Sequence, residues 1–200
     1  CRPLVRFSRD EGRSWSAAVE MIKDRIGYHV LNNDRVIQLK SGRLLAPLDL
    51  HHRPEYEKPD WDGRILCYFS DDNGRSWRRN PEAEFLGRRP DGRRVTCQEP
   101  GVVELKDGSV LMFIRTREGT QYQARSADGG LTWSKPESGP IMSPQSPATI
   151  ERLPTTGDLL LAWNDHSAIS DELRGKRTPF SVAISRDEGK SWERVKALED

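Results

Sequence analysis

Ser70-Asp71-Asp72-Asn73-Gly74-Arg75-Ser76-Trp77 decides the fold, because its pattern Ser-x-Asp-x-Gly-x-Ser/Thr-Trp returns three more times. The other copies are Ser8-Asp10-Gly12-Ser14-Trp15, Ser126-Asp128-Gly130-Thr132-Trp133 and Ser185-Asp187-Gly189-Ser191-Trp192. Their starts lie 62, 56 and 59 residues apart, a period that marks a repeat architecture. The box reads as a turn staple. Its Asp accepts from turn amides, its Gly takes positive φ, its hydroxyls tie down backbone, and its Trp carries apolar surface inward. Four equivalent Asp residues cannot share one active centre, so none of them is expected to be catalytic or to hold a metal.

Each period carries a second pattern, in which an apolar strand, a Gly turn and another apolar strand follow in order. Val36–Leu39 leads to Leu44-Leu45-Ala46, Val102–Leu105 to Val110–Ile114, and Thr149-Ile150 to Leu159–Trp163. A third strand then runs into each box: Arg64–Phe69, Tyr122–Arg125 and Phe180–Ile184. Val/Ile/Leu/Phe richness with hairpin-length turns predicts strands, and no helix is predicted. One four-stranded antiparallel unit per roughly 60 residues fits a propeller blade. The expected fold is all-β, a partial propeller of about four blades. The end of one blade takes 1–27, and further blades take 28–90, 91–139 and 140–200.

Composition narrows the function. Thirty-two Lys and Arg against 31 Asp and Glu leave a formal net charge of +1, which argues against bulk-charge nucleic-acid binding. Mean hydropathy of -0.77 with no long apolar run leaves no membrane-spanning segment. Three cysteines, Cys1, Cys67 and Cys97, make neither a disulfide framework nor a zinc ribbon. No cofactor or metal is called for.

Strand alternation sorts the loops. With the boxes at the bottom, the start of strand one, the end of strand two and the loop after it lie at the top. There stand Asn32, Asn33, Asp34, Arg35 and Asp49; Gln98, Glu99 and Arg115; and Gln145, Ser146, Asn164 and Asp165. Superposing Leu39 on Leu105 sets Asn33 over Glu99 and Asp49 over Arg115. The insertions 51–62 and 166–176 also lie at the top, where a rigid scaffold presents a binding site. His51-His52 beside Asp49 makes a poor tetrahedral set and reads as exposed loop. Trp61 and Tyr56 are read either as sugar-stacking or as loop packing. Cys67 reads as core and Cys97 as a small strand residue.

The boxes are Asp-boxes, also called BNR repeats, and the wider pattern resembles the bacterial sialidases, with their six-bladed propeller. The specific match is Glu99, Val102-Val103-Glu104-Leu105, Gly108 and Arg115 at the family's spacing, together with Arg177 ahead of Phe180–Ser185. The resemblance implies that Arg115 and Arg177 are two of three arginines that clamp a substrate carboxylate, as forked guanidiniums suit. It implies that Glu99 draws the proton from a tyrosine nucleophile. A neutral phenol suits an anomeric carbon that bears a carboxylate, since an anionic nucleophile would be repelled. Asn33, Asp34, Arg35, Asp49, Gln145 and Asn164 would line the pocket, Arg35 as wall and not as the third arginine. Sialylated glycans or another acidic sugar are the implied substrates, and a secreted or periplasmic location follows from the resemblance.

The family's first arginine and acid/base Asp are expected before Cys1. Its nucleophile is expected after Asp200, since none of Tyr28, Tyr56, Tyr68 or Tyr122 sits at that place. The chain is thus expected to be an internal piece that is not itself a competent enzyme. Two other readings remain open. One is a non-catalytic Asp-box propeller that binds glycans or protein. The other is a glycosidase for neutral polysaccharide, whose carboxylate pair would be Glu99 and Asp49.

Overall fold

A computed structural model describes residues 2–199, so Cys1 and Asp200 lie outside the described residues. Every strand pairing is antiparallel. β1 (Leu4–Val5) and β2 (Val19–Glu20) form a first, two-stranded sheet. In the second, β5 (Leu44–His52) pairs on one side with both β3 (Tyr28–Val30) and β4 (Ile37–Gln38), and on the other with β6 (Arg64–Ser70). The third runs β7 (Gln98–Glu104), β8 (Val110–Arg115), β9 (Thr120–Ser126), β10 (Glu137–Met142), and the fourth β11 (Thr149–Arg152), β12 (Leu159–Asn164), β13 (Phe180–Ser185), β14 (Glu193–Glu199). Short 3₁₀ turns occur at Pro81–Ala83 and Asp171–Leu173, and among the described residues there is no α-helix and no helix long and apolar enough to cross a membrane.

The apolar runs are long because the middle sheets are buried on both faces. On β8, Val110, Met112 and Ile114 face one core while Leu111 and Phe113 face the next. On β6, Ile65 and Cys67 share the core with β8, whereas Leu66 and Tyr68 point to the first sheet. The two-residue period of a strand thus feeds two cores at once. Trp77, Trp133 and Trp192 pack against these cores as expected. Trp15 does not: it is 59% exposed, because among the described residues no sheet packs on its outer face.

Each box has the same wiring. In the second, Ser70 Oγ accepts from Gly74 N–H at 2.8 Å and donates to Asp72 Oδ1, which also accepts the Ser76 amide at 2.9 Å. The Ser76 hydroxyl takes the other Asp72 oxygen at 2.6 Å. The box also seats one sheet on its neighbour. At Gly130 (φ +85°), a Cβ would stand 2.8 Å from Leu45 Cδ2 of the second sheet. At the same end, Lys40 N–H donates to Glu104 at 2.9 Å and Lys106 N–H to Glu188 at 2.8 Å, linking the second sheet to the third and the third to the fourth.

These staples carry an acid-sensitivity. Hydrogen bonds from Ser14, Ser76 and Ser191 to the charged form hold the Asp10, Asp72 and Asp187 carboxyls at about 2, below the ordinary 3.8. A depressed folded-state value stabilises above the unfolded value and is lost as pH falls through the folded one. The urea midpoint is therefore expected to fall between pH 4 and pH 2, and Asp72→Asn to remove part of that slope.

One strand differs from the sequence expectation. Strand one of the second sheet is split, with β3 and β4 separated by 31–36, where Asp34 takes φ +60°. β3 holds the far end of β5, pairing Val30 with Asp49, His29 with Leu50 and Tyr28 with His52. His51 and His52 consequently belong to a strand, not to an exposed loop.

Candidate functional site

β7 and β8 build the centre of the site. Their register pairs Gln98 with Arg115 and Gly101 with Phe113, so β7 carries one extra residue between these pairs. The bulge holds Glu99 at φ +46°, ahead of Pro100, and re-aims its side chain. Arg115 Nη1 then donates to Glu99 Oε1 at 2.6 Å, with both side chains largely buried. Glu99 Oε2 and Arg115 Nε are buried without a hydrogen-bond partner.

A cavity of about 400 Å³ opens over this pair, lined by Tyr28, His51, Trp61, Gln98, Arg117 and Gln145 besides Glu99 and Arg115. Gln98 Nε2 donates to the Trp61 carbonyl at 2.7 Å, and Gln145 Nε2 donates to Gln98 Oε1 at 3.1 Å. Arg117 Nε donates to Gln145 Oε1 at 3.0 Å. From the fourth sheet, Arg177 Nη2 approaches the Gln145 carbonyl at 3.5 Å. Among the described residues neither Arg117 nor Arg177 makes an ion pair. The cavity therefore holds the Arg115–Glu99 pair and a second guanidinium, Arg117, without a carboxylate partner, an arrangement suited to an added anion.

The family model for the BNR repeat-like domain matches residues 2–200. The chain belongs to the BNR repeat-like domain family. This BNR repeat-like domain is 30% identical over 141 residues to Sialidase-4 of Homo sapiens, covering 63% of this chain and 27% of that protein. It is 29% identical over 137 residues to the anhydrosialidase of Macrobdella decora, covering 65% of this chain and 16% of that protein. The chain thus spans less than a third of the length of these relatives. Its fold matches a Hadza microbial sialidase (TM-score 0.71, 19% identity, 98% of this chain, 37% of that one). It also matches a Trypanosoma rangeli sialidase (TM-score 0.67, 15% identity, 98% of this chain, 32% of that one).

Glu99, Arg115 and Gln145 come together at the cavity; Arg177 is not among the residues that line it and reaches the Gln145 backbone carbonyl instead. Other residues expected on the pocket wall are engaged elsewhere. Asn164 Nδ2 donates to the Arg177 carbonyl at 2.8 Å, so it fixes the backbone of Arg177. Arg35 is buried, donates to the Ala148 carbonyl at 2.8 Å and lies over the Phe113 ring, bridging the second sheet to the neighbouring ones. Burial is the main force pulling its pKa down, against the nearby Glu99. Asn33 and Asp34 are exposed in the loop that splits strand one. Asp49 is 0% exposed, with His51 Nε2 standing 2.7 Å from its Oδ2. That burial removes Asp49 as a partner of Glu99 across an open cleft, the pair on which the neutral-polysaccharide reading drew.

Three polar or aromatic residues of the cavity escaped the sequence reading. Arg117 follows Arg115 by two, and His51 follows Asp49 by two, so strand parity pointed to both. Tyr28 joins His51 and Trp61 in an aromatic rim with ring centroids 5.4–6.4 Å apart. Cys97, just before Gln98, has its thiol pushed up to about 12 by burial, as has Cys67, so neither is a nucleophile at neutral pH.

Proposed function

We propose that this chain carries the carboxylate-gripping part of a sialidase-like glycoside hydrolase site, acting on terminal sialic acid or a related acidic sugar. The observation that carries the reading is the uncompensated guanidinium at the cavity: beside the Arg115–Glu99 pair, Arg117 lines the cavity without a carboxylate partner, and Arg177 reaches the Gln145 carbonyl from the next sheet. A sugar carboxylate entering the cavity would supply the missing negative charge. In this reading the sheets are consecutive blades of a six-bladed propeller, divided at 1–27, 28–90, 91–139 and 140–200. Glu99 would take the proton of a tyrosine nucleophile, which then forms a glycosyl intermediate, and the remaining groups of the catalytic set would come from outside this chain.

A second reading has one observation in its favour. Glu99 is already committed to Arg115 at 2.6 Å, as a purely structural pair would be. A propeller that binds acidic glycans without cleaving them would keep the same cavity.

The test is titration of the chain with sialic acid and with its methyl ester, followed by ¹⁵N shifts of Arg115, Arg117 and Arg177. Binding of the acid and not the ester is the expected outcome. Equal or absent binding of both removes the carboxylate reading. Turnover of a fluorogenic sialoside by the protein that contains this chain then separates hydrolase from binder.

A further inference from the structure

Three hydrogen bonds along the cavity wall run in one direction. The Trp61 carbonyl oxygen can only accept, so the Gln98 group facing it at 2.7 Å is the amide Nε2, and Gln98 Oε1 points the other way. That oxygen accepts from Gln145 Nε2 at 3.1 Å, which turns Gln145 Oε1 toward Arg117 Nε at 3.0 Å. Reversing either amide would set like atoms face to face at both of its contacts. A backbone carbonyl at one end and a guanidinium at the other therefore fix the polarity of the whole relay.

The relay is held at its anchor and along its length. Next to Trp61, the Asp62 carbonyl accepts from Cys97 N–H at 2.7 Å, and Gln98 itself is buried. On the other side Gln121, 1% exposed on β9, donates to the Ser143 hydroxyl at 2.9 Å and to the Ser146 carbonyl at 2.8 Å, which pins the segment that carries Gln145. Arg117 has no comparable support of its own. It is exposed, two residues past the end of β8, and the adjacent carboxylate, Glu118, is committed to Arg89 at 2.6 Å. Among the described residues its side chain makes one hydrogen bond, from Nε to Gln145, so both terminal nitrogens are without a protein partner.

A guanidinium anchored through Nε still presents an N–H from each terminal nitrogen, and that end-on fork matches the two oxygens of a carboxylate. An unanchored arginine would lose the rotamer freedom of a long side chain when it bound. We propose that Arg117 is a specificity-determining grip for the ligand carboxylate, and that Gln98 and Gln145 are positioning residues that hold it at the cavity from the Trp61 carbonyl. Gln145 then acts on a sugar through Arg117 and not through its own amide, whose two ends both face protein. The grip rests on the acidic-sugar reading given above; the relay does not.

The experiment is NMR on the ¹⁵N-labelled chain at mildly acidic pH, with the Arg117 Nε–H signal identified by its loss in Arg117→Ala. Gln98→Leu removes the middle of the relay without touching Arg117. Exchange of the Arg117 Nε proton with water is then expected to speed up about fivefold, the worth of one neutral hydrogen bond. Gln145→Glu gives Arg117 a carboxylate partner. The same exchange is expected to slow, while affinity for sialic acid falls at least tenfold because the free charge is gone. A relay that served stability alone would lower the urea midpoint of both variants and leave the Arg117 proton unmoved, which overturns the proposal. Should Gln98→Leu not fold, Gln145→Met is read in its place. If sialic acid binds the unmodified chain and Arg117→Ala equally well, the grip falls and the sugar reading stands on Arg115. If no acid binds but the Arg117 proton still answers to Gln98, the relay stands and the grip falls together with the sugar reading.

Discussion

Arg115→Ala is expected to weaken binding of an acidic sugar by at least two orders of magnitude. The guanidinium is largely buried, and its charge-assisted contact with a carboxylate in such a site is worth about 3 kcal/mol, or roughly 150-fold. The loss should be specific to the acid, with no change toward its methyl ester. The same substitution strips Glu99 of its partner. Because Glu99 keeps some solvent contact, the stability cost is expected to be about 1–2 kcal/mol, less than for a fully buried pair. Arg115→Lys keeps the charge and loses the fork, so it should fall between wild type and alanine. Calorimetric titration measures the binding and urea unfolding the stability. Undiminished affinity in the alanine variant would show that Arg115 is not a clamp.

Gly63→Ala is expected to cost about 3 kcal/mol, near the upper end for single substitutions. A Cβ at this position would stand 2.3 Å from the Cys97 carbonyl oxygen and 3.3 Å from the His51 ring, on a backbone with φ +73°. The obstacle is backbone, which cannot swing aside. The segment is also laced to its neighbour: Cys97 N–H donates to the Asp62 carbonyl at 2.7 Å, and the Thr96 hydroxyl to Asp62 at 2.9 Å. Glu99 lies two residues beyond Cys97, so the displacement should reach the cavity as well. Gly63→Asn separates two causes. Asparagine tolerates positive φ better than alanine but brings the same Cβ. If the contact dominates, both variants lose equal urea stability; if the dihedral dominates, asparagine recovers part of it.

Much of this architecture was legible because its determinants are local. A box closes within eight residues through its own Ser, Asp and Gly, and the strands beside it alternate on a fixed period. Glu99 and Arg115 were legible for a related reason: they face each other across one hairpin, where strand register brings them near. What stayed hidden depends on partners far along the chain. Arg35 is drawn inward by a carbonyl 113 residues away. Asp49 is covered because Tyr28–Val30 extends the edge of β5, a pairing that the weak apolar signal of three residues did not announce. Asn164 lost its expected role to a backbone carbonyl of its own loop. His51 and Arg117 form an instructive middle case. Their strand parity was visible, but the length of β5 that carries His51 was not, and Arg117 lies two residues past the end of β8.

The links between neighbouring turns have a direction. In each, a main-chain amide one residue past a turn leucine, Lys40 after Leu39 and Lys106 after Leu105, gives its hydrogen to a glutamate of the following sheet. The acceptors come from unrelated places, Glu104 from a strand and Glu188 from a box, so it is the donor that stays constant. The corresponding leucine of the fourth sheet is Leu153, whose turn is one residue longer and closes from Gly157 N–H to the Leu153 carbonyl, and the residue after it is Pro154. Proline has no hydrogen to give. The series therefore behaves like a one-way chain of hooks in which the last link has been filed smooth, and whatever meets that corner of the fourth sheet must be held by something other than this amide.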